Sequence, residues 1–299
     1  MKTVIEKAYA KINLGLDVIR KREDGYHELR MIMQTVDLYD ILVFQKKEKG
    51  ITVITDKPEL PGDENNLIYK AVKLLVDTCR IKEGVSVELK KNIPMEAGLA
   101  GGSSDAAAVF RGMNELFSLG LTRKRMCELG VKLGADIPYC IMGGTVLAEG
   151  IGEILTELPD MPDCFLLLDK PKEGMSSGYV YRNLHAGHLT FHPDIDGMME
   201  AIRKEQLTGI TDRLGNVLET VTVRECPVID KIKQCMVEQG ALGSLMSGSG
   251  STVFGVFESA EKAEKACQVL KKEIPGQQIF ITRPVSAAMV KERNETVYE

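Results

Sequence analysis

The residues best suited to chemistry lie in one run, Pro94-Met95-Glu96-Ala97-Gly98-Leu99-Ala100-Gly101-Gly102-Ser103-Ser104-Asp105-Ala106. Three glycines within five residues let the backbone turn its N–H groups inward, where a Cβ would otherwise obstruct. The run leads into a helix predicted to begin near Ser103 or Ser104, whose unbonded first-turn N–H groups point at the same spot. Partial positive charge collects where an anion would sit, so Pro94 through Ser104 read as a phosphate cradle. The run matches neither the dinucleotide pattern GxGxxG nor the Walker loop, which needs lysine where Gly102 stands.

A cradle without its own lysine needs a cation from elsewhere to move a phosphoryl group, and a carboxylate to align the accepting hydroxyl. Lys11 lies in the strand-like run Ala8-Tyr9-Ala10-Lys11-Ile12-Asn13-Leu14-Gly15-Leu16, whose small and apolar neighbours predict a partly buried ammonium. Asp136 lies in the tight turn Gly134-Ala135-Asp136-Ile137-Pro138 after a helix. A third glycine segment, Gly243 to Thr252, joins two predicted strands and reads either as a flexible hairpin or as backbone able to approach a polyphosphate or substrate closely. His185, His188 and His192 are near helical spacing, but Gly187, Thr190 and Pro193 interrupt a helix there and no zinc site is assigned.

These groups need a scaffold, and 299 residues with 44% hydrophobic content supply one large or two ordinary domains. A net charge of −5 opposes nucleic-acid or membrane-surface binding, so an anionic ligand must be held locally. Seven cysteines without a CxxC pair read as reduced thiols, and no apolar run approaches the ~18 residues of a membrane span. These features place the protein in the cytoplasm.

Strands are expected around Thr3 to Leu16, Leu29 to Val36 and Ile41 to Phe44, with Lys46 to Gly50 as a solvated hairpin loop. Asn65 or Asn66 caps a helix with an apolar face from Leu67 to Leu75, and the strand Val85 to Leu89 feeds the glycine loop. The helix after the loop buries Ala106, Val109, Phe110, Met113, Leu116 and Phe117, and Thr122 caps another helix ending near Gly134. A boundary is placed at the proline-bearing stretch Leu158 to Pro162, giving units 1–160 and 161–299. Beyond it come helices to Gly240, then strand, glycine loop, strand, helix (Ala260 to Glu273) and strand (Gln278 to Thr282), which suggest a small α/β sandwich.

The chain resembles the GHMP small-molecule kinases. The resemblance is carried by Lys7 to Leu29, Pro94 to Ala108 and Gly243 to Gly255, with the turn at Asp136. It implies an α+β fold in two parts, an N-terminal α+β ATP-binding domain and a C-terminal ferredoxin-like α/β sandwich, with an active cleft between them. It also implies Mg-ATP (ATP and Mg2+), with Asp136 as proton acceptor, Lys11 as its orienting cation, and substrate contacts at Asn13, Tyr26 and His27.

Within the family, Ala10 to Leu14 followed by Asp24 to Leu29 is similar to the member whose small-molecule substrate carries a cytidyl group, with Tyr26 and His27 against the cytosine. Tyr179, Tyr181 and Phe191 are candidates for a second aromatic wall, and the metal ligands are unassigned. Ala100 stands where many members carry glycine, and is expected to be tolerated unless that position needs a positive φ. The rivals are a family member acting on mevalonate, homoserine or a sugar, which Asp24 to Leu29 opposes, and a non-catalytic nucleotide- or RNA-binding module. The acidic balance and the joint presence of Lys11 and Asp136 oppose that module. Nothing in the sequence sets an oligomeric state.

Overall fold

Two long antiparallel strands, β1 (Thr3–Lys21) and β2 (His27–Lys47), form the spine of the molecule. The structure is a computed structural model that describes residues 2–290; Met1 and 291–299, the end of the expected second unit, lie outside the described residues.

The β1–β2 register slips between Tyr9 and Lys11, again between Asn13 and Gly15, and a third time near Val18. Because side chains alternate along a strand, each slip changes which face a given parity presents. Val4 and Ala8 face one core, Ala10, Ile12 and Leu14 the other, and Leu16 and Val18 the first again. The first two slips thus turn Lys11 and Asn13 together away from the core that takes Ala10, Ile12 and Leu14.

The strand β3 (Ile51–Thr55) lies parallel to β4 (Gly84–Lys90), and β4 lies between β3 and β2. The charged stretch Lys46 to Gly50 is largely exposed, but the expected hairpin is corrected: its flanking strands are not neighbours. Gly50 O instead accepts from Val85 N–H at 3.0 Å, and a Cβ on Gly84 would come within 2.4 Å of Lys49. Between β3 and β4, α1 (Leu67–Cys79) is capped by Asn66, whose side chain accepts from Ile68 N–H at 2.8 Å.

The helix α2 (Gly101–Leu116) follows the glycine loop and packs on β1, β2 and α1, close enough that a Cβ on Gly112 would stand 2.5 Å from the Phe44 ring. Then come α3 (Arg123–Gly130), capped by Thr122, α4 (Ile137–Met142), and the hairpin β5 (Thr145–Gly150) with β6 (Ile154–Glu157). The first half of β2 pairs with β5 and its second half with β4.

A second sheet starts at β7 (Phe165–Lys170). After it come α5 (Ser177–Asn183), α6 (Ile195–Arg203), α7 (Leu207–Thr211), a short β8 (Gly215–Asn216), α8 (Glu219–Glu225) and α9 (Val228–Glu238). The chain then forms β9 (Gly243–Met246), β10 (Val253–Phe257), α10 (Ala260–Glu273) and β11 (Gln278–Thr282). The antiparallel order β11-β7-β10-β9, with helices after β7 and β10, is the ferredoxin-like arrangement. The strand β8 returns to pair in parallel with β1 at Gly15 and Leu16. One core runs from between the first sheet and α1 to α4 on into the second sheet with α5, α9 and α10, and the other joins Ile12 and Leu14 of β1 to Leu166, Leu168 and Phe254 of the second sheet.

Asp169 on β7 is wholly buried; its Oδ2 accepts from Gln277 Nε2 at 3.2 Å and its Oδ1 has no partner. Burial pushes this carboxyl up to about 7, so the folded chain keeps a proton that the unfolded chain releases near its ordinary value of about 4. The folded state binds the extra proton, so this group erodes stability as pH rises through that window and leaves it unaffected below. Asp169→Asn should therefore gain stability relative to wild type at pH 8 more than at pH 5, read as urea midpoints. An equal change at both pH values would contradict the assignment.

Candidate active site

The loop between β4 and α2 sits at the junction of the two sheets. Glu96 (φ 50°), Gly98 (φ 72°) and Ala100 (φ 56°) hold left-handed conformations at every second position, which curls the intervening backbone into a concave turn. The exception stated for Ala100 applies: its position does use a positive φ, so its methyl costs roughly 1 kcal/mol relative to glycine. The predicted helix start is corrected as well. Ser104 N–H already closes the first helical bond onto Ala100 O at 2.8 Å, so the free N–H groups of the first turn belong to Gly101, Gly102 and Ser103.

Four hydrogen bonds are among the contacts that fix the loop. Gly98 O accepts from Lys11 Nζ and from Ser247 Oγ, both at 3.0 Å, while Lys11 N–H donates to Leu99 O at 3.2 Å. Thr252 N–H donates to Ala97 O at 3.3 Å. The third glycine segment is therefore docked on the loop. A Cβ at Gly98 would stand 2.1 Å from Ser247 O, and one at Gly248 3.1 Å from both Gly98 O and Lys11 Nζ. Asn216 Nδ2 steadies that segment by donating to Met246 O at 2.9 Å and Gly248 O at 2.7 Å.

The cleft above the loop measures about 830 Å3, and Pro94 through Ser103 line it together with Lys11, Asn13, Tyr26, His27 and Asp136. Ser104 is the exception among the expected residues: it is buried and its hydroxyl donates to Tyr9 O at 2.5 Å, so it ties α2 to β1. Lys11 is nearly inaccessible, its Nζ donating to Asn13 Oδ1 at 2.6 Å as well as to Gly98 O. Burial lowers the pKa of this ammonium, and the charge of Asp136 opposes part of that shift. Asp136 is half-buried just ahead of α4 and makes no capping bond, so its carboxylate is left for the cleft.

Arg111 on α2 holds these two elements together, donating from Nε to Glu6 Oε2 at 2.9 Å, from Nη2 to Lys7 O at 2.9 Å and from Nη1 to Cys140 O at 3.1 Å. It thereby joins β1, which carries Lys11, to α4, which follows Asp136.

At the far end, the turn before β2 is closed by Asp24, which accepts from Tyr26 N–H at 3.1 Å and pairs with Arg22. Tyr26 is exposed on the cleft lip. His27 is buried with Nε2 unpartnered, and burial followed by the Lys21 charge lowers its pKa, favouring the neutral ring. Tyr181 on α5 lies across from it, ring centroids 5.4 Å apart and 31° between planes. Of the three aromatic candidates only Tyr181 lines the cleft; Tyr179 donates to Glu225 at 3.0 Å, and Phe191 lies over Gly215. His192 is bonded to Asp17 at 2.8 Å, and among the described residues no three His, Cys, Asp or Glu side chains converge on a metal position.

Sequence reasoning missed Lys91 and Asp105, both buried at the cleft floor and paired at 2.9 Å. Lys91 follows Lys90 at a strand end and reads as a solvated charge. The only signal was Asp105 itself, an acid inside the otherwise apolar first turns of α2.

The tight contact at Gly98 can be checked. Gly98→Ala should destabilise the fold by at least about 2 kcal/mol, because strain at positive φ and overlap with Ser247 add. Gly120→Ala, at φ 65° with open space around its Cβ, isolates the backbone part and should cost clearly less. Equal losses in the two variants would refute the docking of the loop.

Known proteins bear on the geometry. The GHMP kinases N terminal domain matches residues 66–144, and the GHMP kinases C terminal domain matches residues 190–276. A 4-diphosphocytidyl-2-C-methyl-D-erythritol kinase of Lachnoclostridium phytofermentans is 50% identical over 278 residues, covering 93% of this chain and 96% of its own. The enzyme of the same name from Lachnospira eligens is 48% identical over 283 residues, covering 94% and 98%. A crystal structure of 4-(cytidine 5'-diphospho)-2C-methyl-D-erythritol kinase superposes with a TM-score of 0.79 at 31% identity, covering 94% of this chain and 99% of the other. Homoserine kinase from Cytophaga hutchinsonii shares the fold at the same TM-score of 0.79 and 20% identity, covering 96% of each chain. With both domains matched, and near-full-length relatives at about half identity, this chain belongs to the GHMP kinases.

Proposed function

We propose that this kinase transfers the γ-phosphoryl group of Mg-ATP to the 2-hydroxyl of 4-diphosphocytidyl-2-C-methyl-D-erythritol, a step of non-mevalonate isoprenoid precursor synthesis. The observation that carries the reading is that Lys11, Asp136 and the N-terminal N–H groups of α2 all face one cleft, with His27 and Tyr181 at its other end. The relatives that match almost the whole chain are named as kinases of that alcohol.

In this reading the triphosphate lies on the loop Pro94 to Ala100, with its anionic end at the free N–H groups of Gly101, Gly102 and Ser103. Mg2+ enters with the nucleotide, as part of the substrate, and neutralises phosphate charge. The ammonium of Lys11 has little water around it, so its field at the accepting oxygen is stronger than at a surface. Asp136 accepts the hydrogen bond of the alcohol and aims it in line with the phosphorus. The transition state is loose, so orientation contributes more than prior deprotonation.

Neutral His27 leaves an unpartnered Nε2 for the edge of the cytosine, while Tyr26 and Tyr181 offer faces for its ring. Seven free thiols and the lack of any described helix able to cross a membrane fit a reaction in the cytoplasm.

Lys11→Met and Asp136→Asn should each lower kcat by about 10²–10³ with little change in either KM. A variant that turned over like wild type would exclude the role given to that residue. The substrate assignment is tested by ADP formation with the cytidyl alcohol against mevalonate and homoserine. The cytidyl alcohol should stimulate it alone, and equal stimulation by mevalonate would refute the assignment.

A further inference from the structure

Resting on the kinase reading above, we infer that Asp40, Lys91 and Asp105 are positioning residues that clamp the root of the phosphate loop and so set the grip on the nucleotide's phosphates. Lys91 stands just before the loop and Asp105 just after it, and the Lys91 ammonium joins them, donating to Asp105 Oδ2 at 2.9 Å and to Asp40 Oδ2. The other oxygen of Asp40, Oδ1, accepts from the N–H groups of Asn92 at 2.5 Å and Ile93 at 2.8 Å, the two residues that lead from Lys91 into Pro94. Lys91 N–H is held in turn by Asp56 Oδ1 at 3.0 Å. The chain that leaves β4 and the chain that enters α2 are therefore drawn to one point. That point lies directly behind the helix start, because a Cβ on Gly101 would be only 3.0 Å from Lys91 Nζ.

All three side chains are buried, and filling the volume of such an ionic cluster with apolar groups is often neutral or stabilising. Stability alone does not account for such a cluster, and one oxygen of Asp105, Oδ1, is left without any partner. What the cluster provides is a fixed distance across the loop's mouth, which decides how the N–H groups of Gly101, Gly102 and Ser103 converge. Burial, with the neighbouring Asp40 charge, raises the Asp105 carboxyl well above the usual range against the pull of Lys91.

The test compares binding of ADP and adenosine, by calorimetry, with steady-state KM values. Lys91→Met/Asp105→Leu removes the cation and one acid but leaves Asp40 buried without its cation, so its Tm should fall below wild type, and its binding is read at a temperature where it is folded. Its Kd for ADP and KM for ATP should rise about tenfold, while its Kd for adenosine and KM for the alcohol stay unchanged. Asp105→Leu alone, which leaves Lys91 paired with Asp40, should show the same split. Asp105→Asn keeps an oxygen for Lys91 and should stay within about twofold of wild type.

ADP binding equal to wild type in a folded double variant or in Asp105→Leu would overturn the inference. Equal weakening of adenosine and ADP would do so too, by showing that these residues touch the nucleoside. Calorimetry reads the clamp without catalysis, so its failure is distinct from a wild-type enzyme that ignores the cytidyl alcohol.

Discussion

Gly98 O accepts one hydrogen bond from Lys11 Nζ and one from Ser247 Oγ, partners 87 and 149 residues away in the chain. At this atom the first sheet, the glycine loop and the turn between β9 and β10 meet. The junction tolerates no side chain, since Gly98 and Gly248 each face backbone within 3.1 Å of where a Cβ would stand. It also explains how a lysine can be buried here: two oxygens replace the water that Lys11 gives up, and the Asp136 charge returns part of the lost stabilisation. Moving the loop would leave that ammonium without one of its two acceptors.

The register slips between β1 and β2 make the junction possible. A regular strand would carry Lys11 and Asn13 on the face that Lys7 and Tyr9 share. The slip at Tyr9–Lys11 turns them over, and the slip at Asn13–Gly15 restores the original alternation for Leu16 and Val18. Arg111 then ties the straight part of β1 to α4, so the cation and the carboxylate are set by one half-buried guanidinium acting on two backbone carbonyls.

Much of this was readable because it is local. Asn66 and Thr122 cap helices through side-chain oxygens, and α10 and β11 fall where apolar spacing put them. The motifs around Lys11, Gly98 and Asp136 were found by residue type alone. What escaped depends on contacts between distant segments. Lys46 to Gly50 looks like a hairpin until β4 is seen to insert between its strands, and Ser104 looks like a phosphate ligand until Tyr9 O takes its hydroxyl. Lys91 and Asp105 read as ordinary charges because their pairing needs β2, β4 and α2 assembled. Tyr181 could be chosen over Tyr179 and Phe191 only once α5 was laid across from His27.

The central claim is that one cavity presents Lys11 and Asp136 to the same alcohol oxygen. A crystal structure with a non-hydrolysable ATP analogue and the cytidyl alcohol tests it most directly. The account predicts the accepting hydroxyl within hydrogen-bond distance of the Asp136 carboxylate, with Lys11 Nζ beside it and the terminal phosphate over Gly101 to Ser103. A hydroxyl bound away from Asp136, or phosphates lying off the helix end, would contradict it.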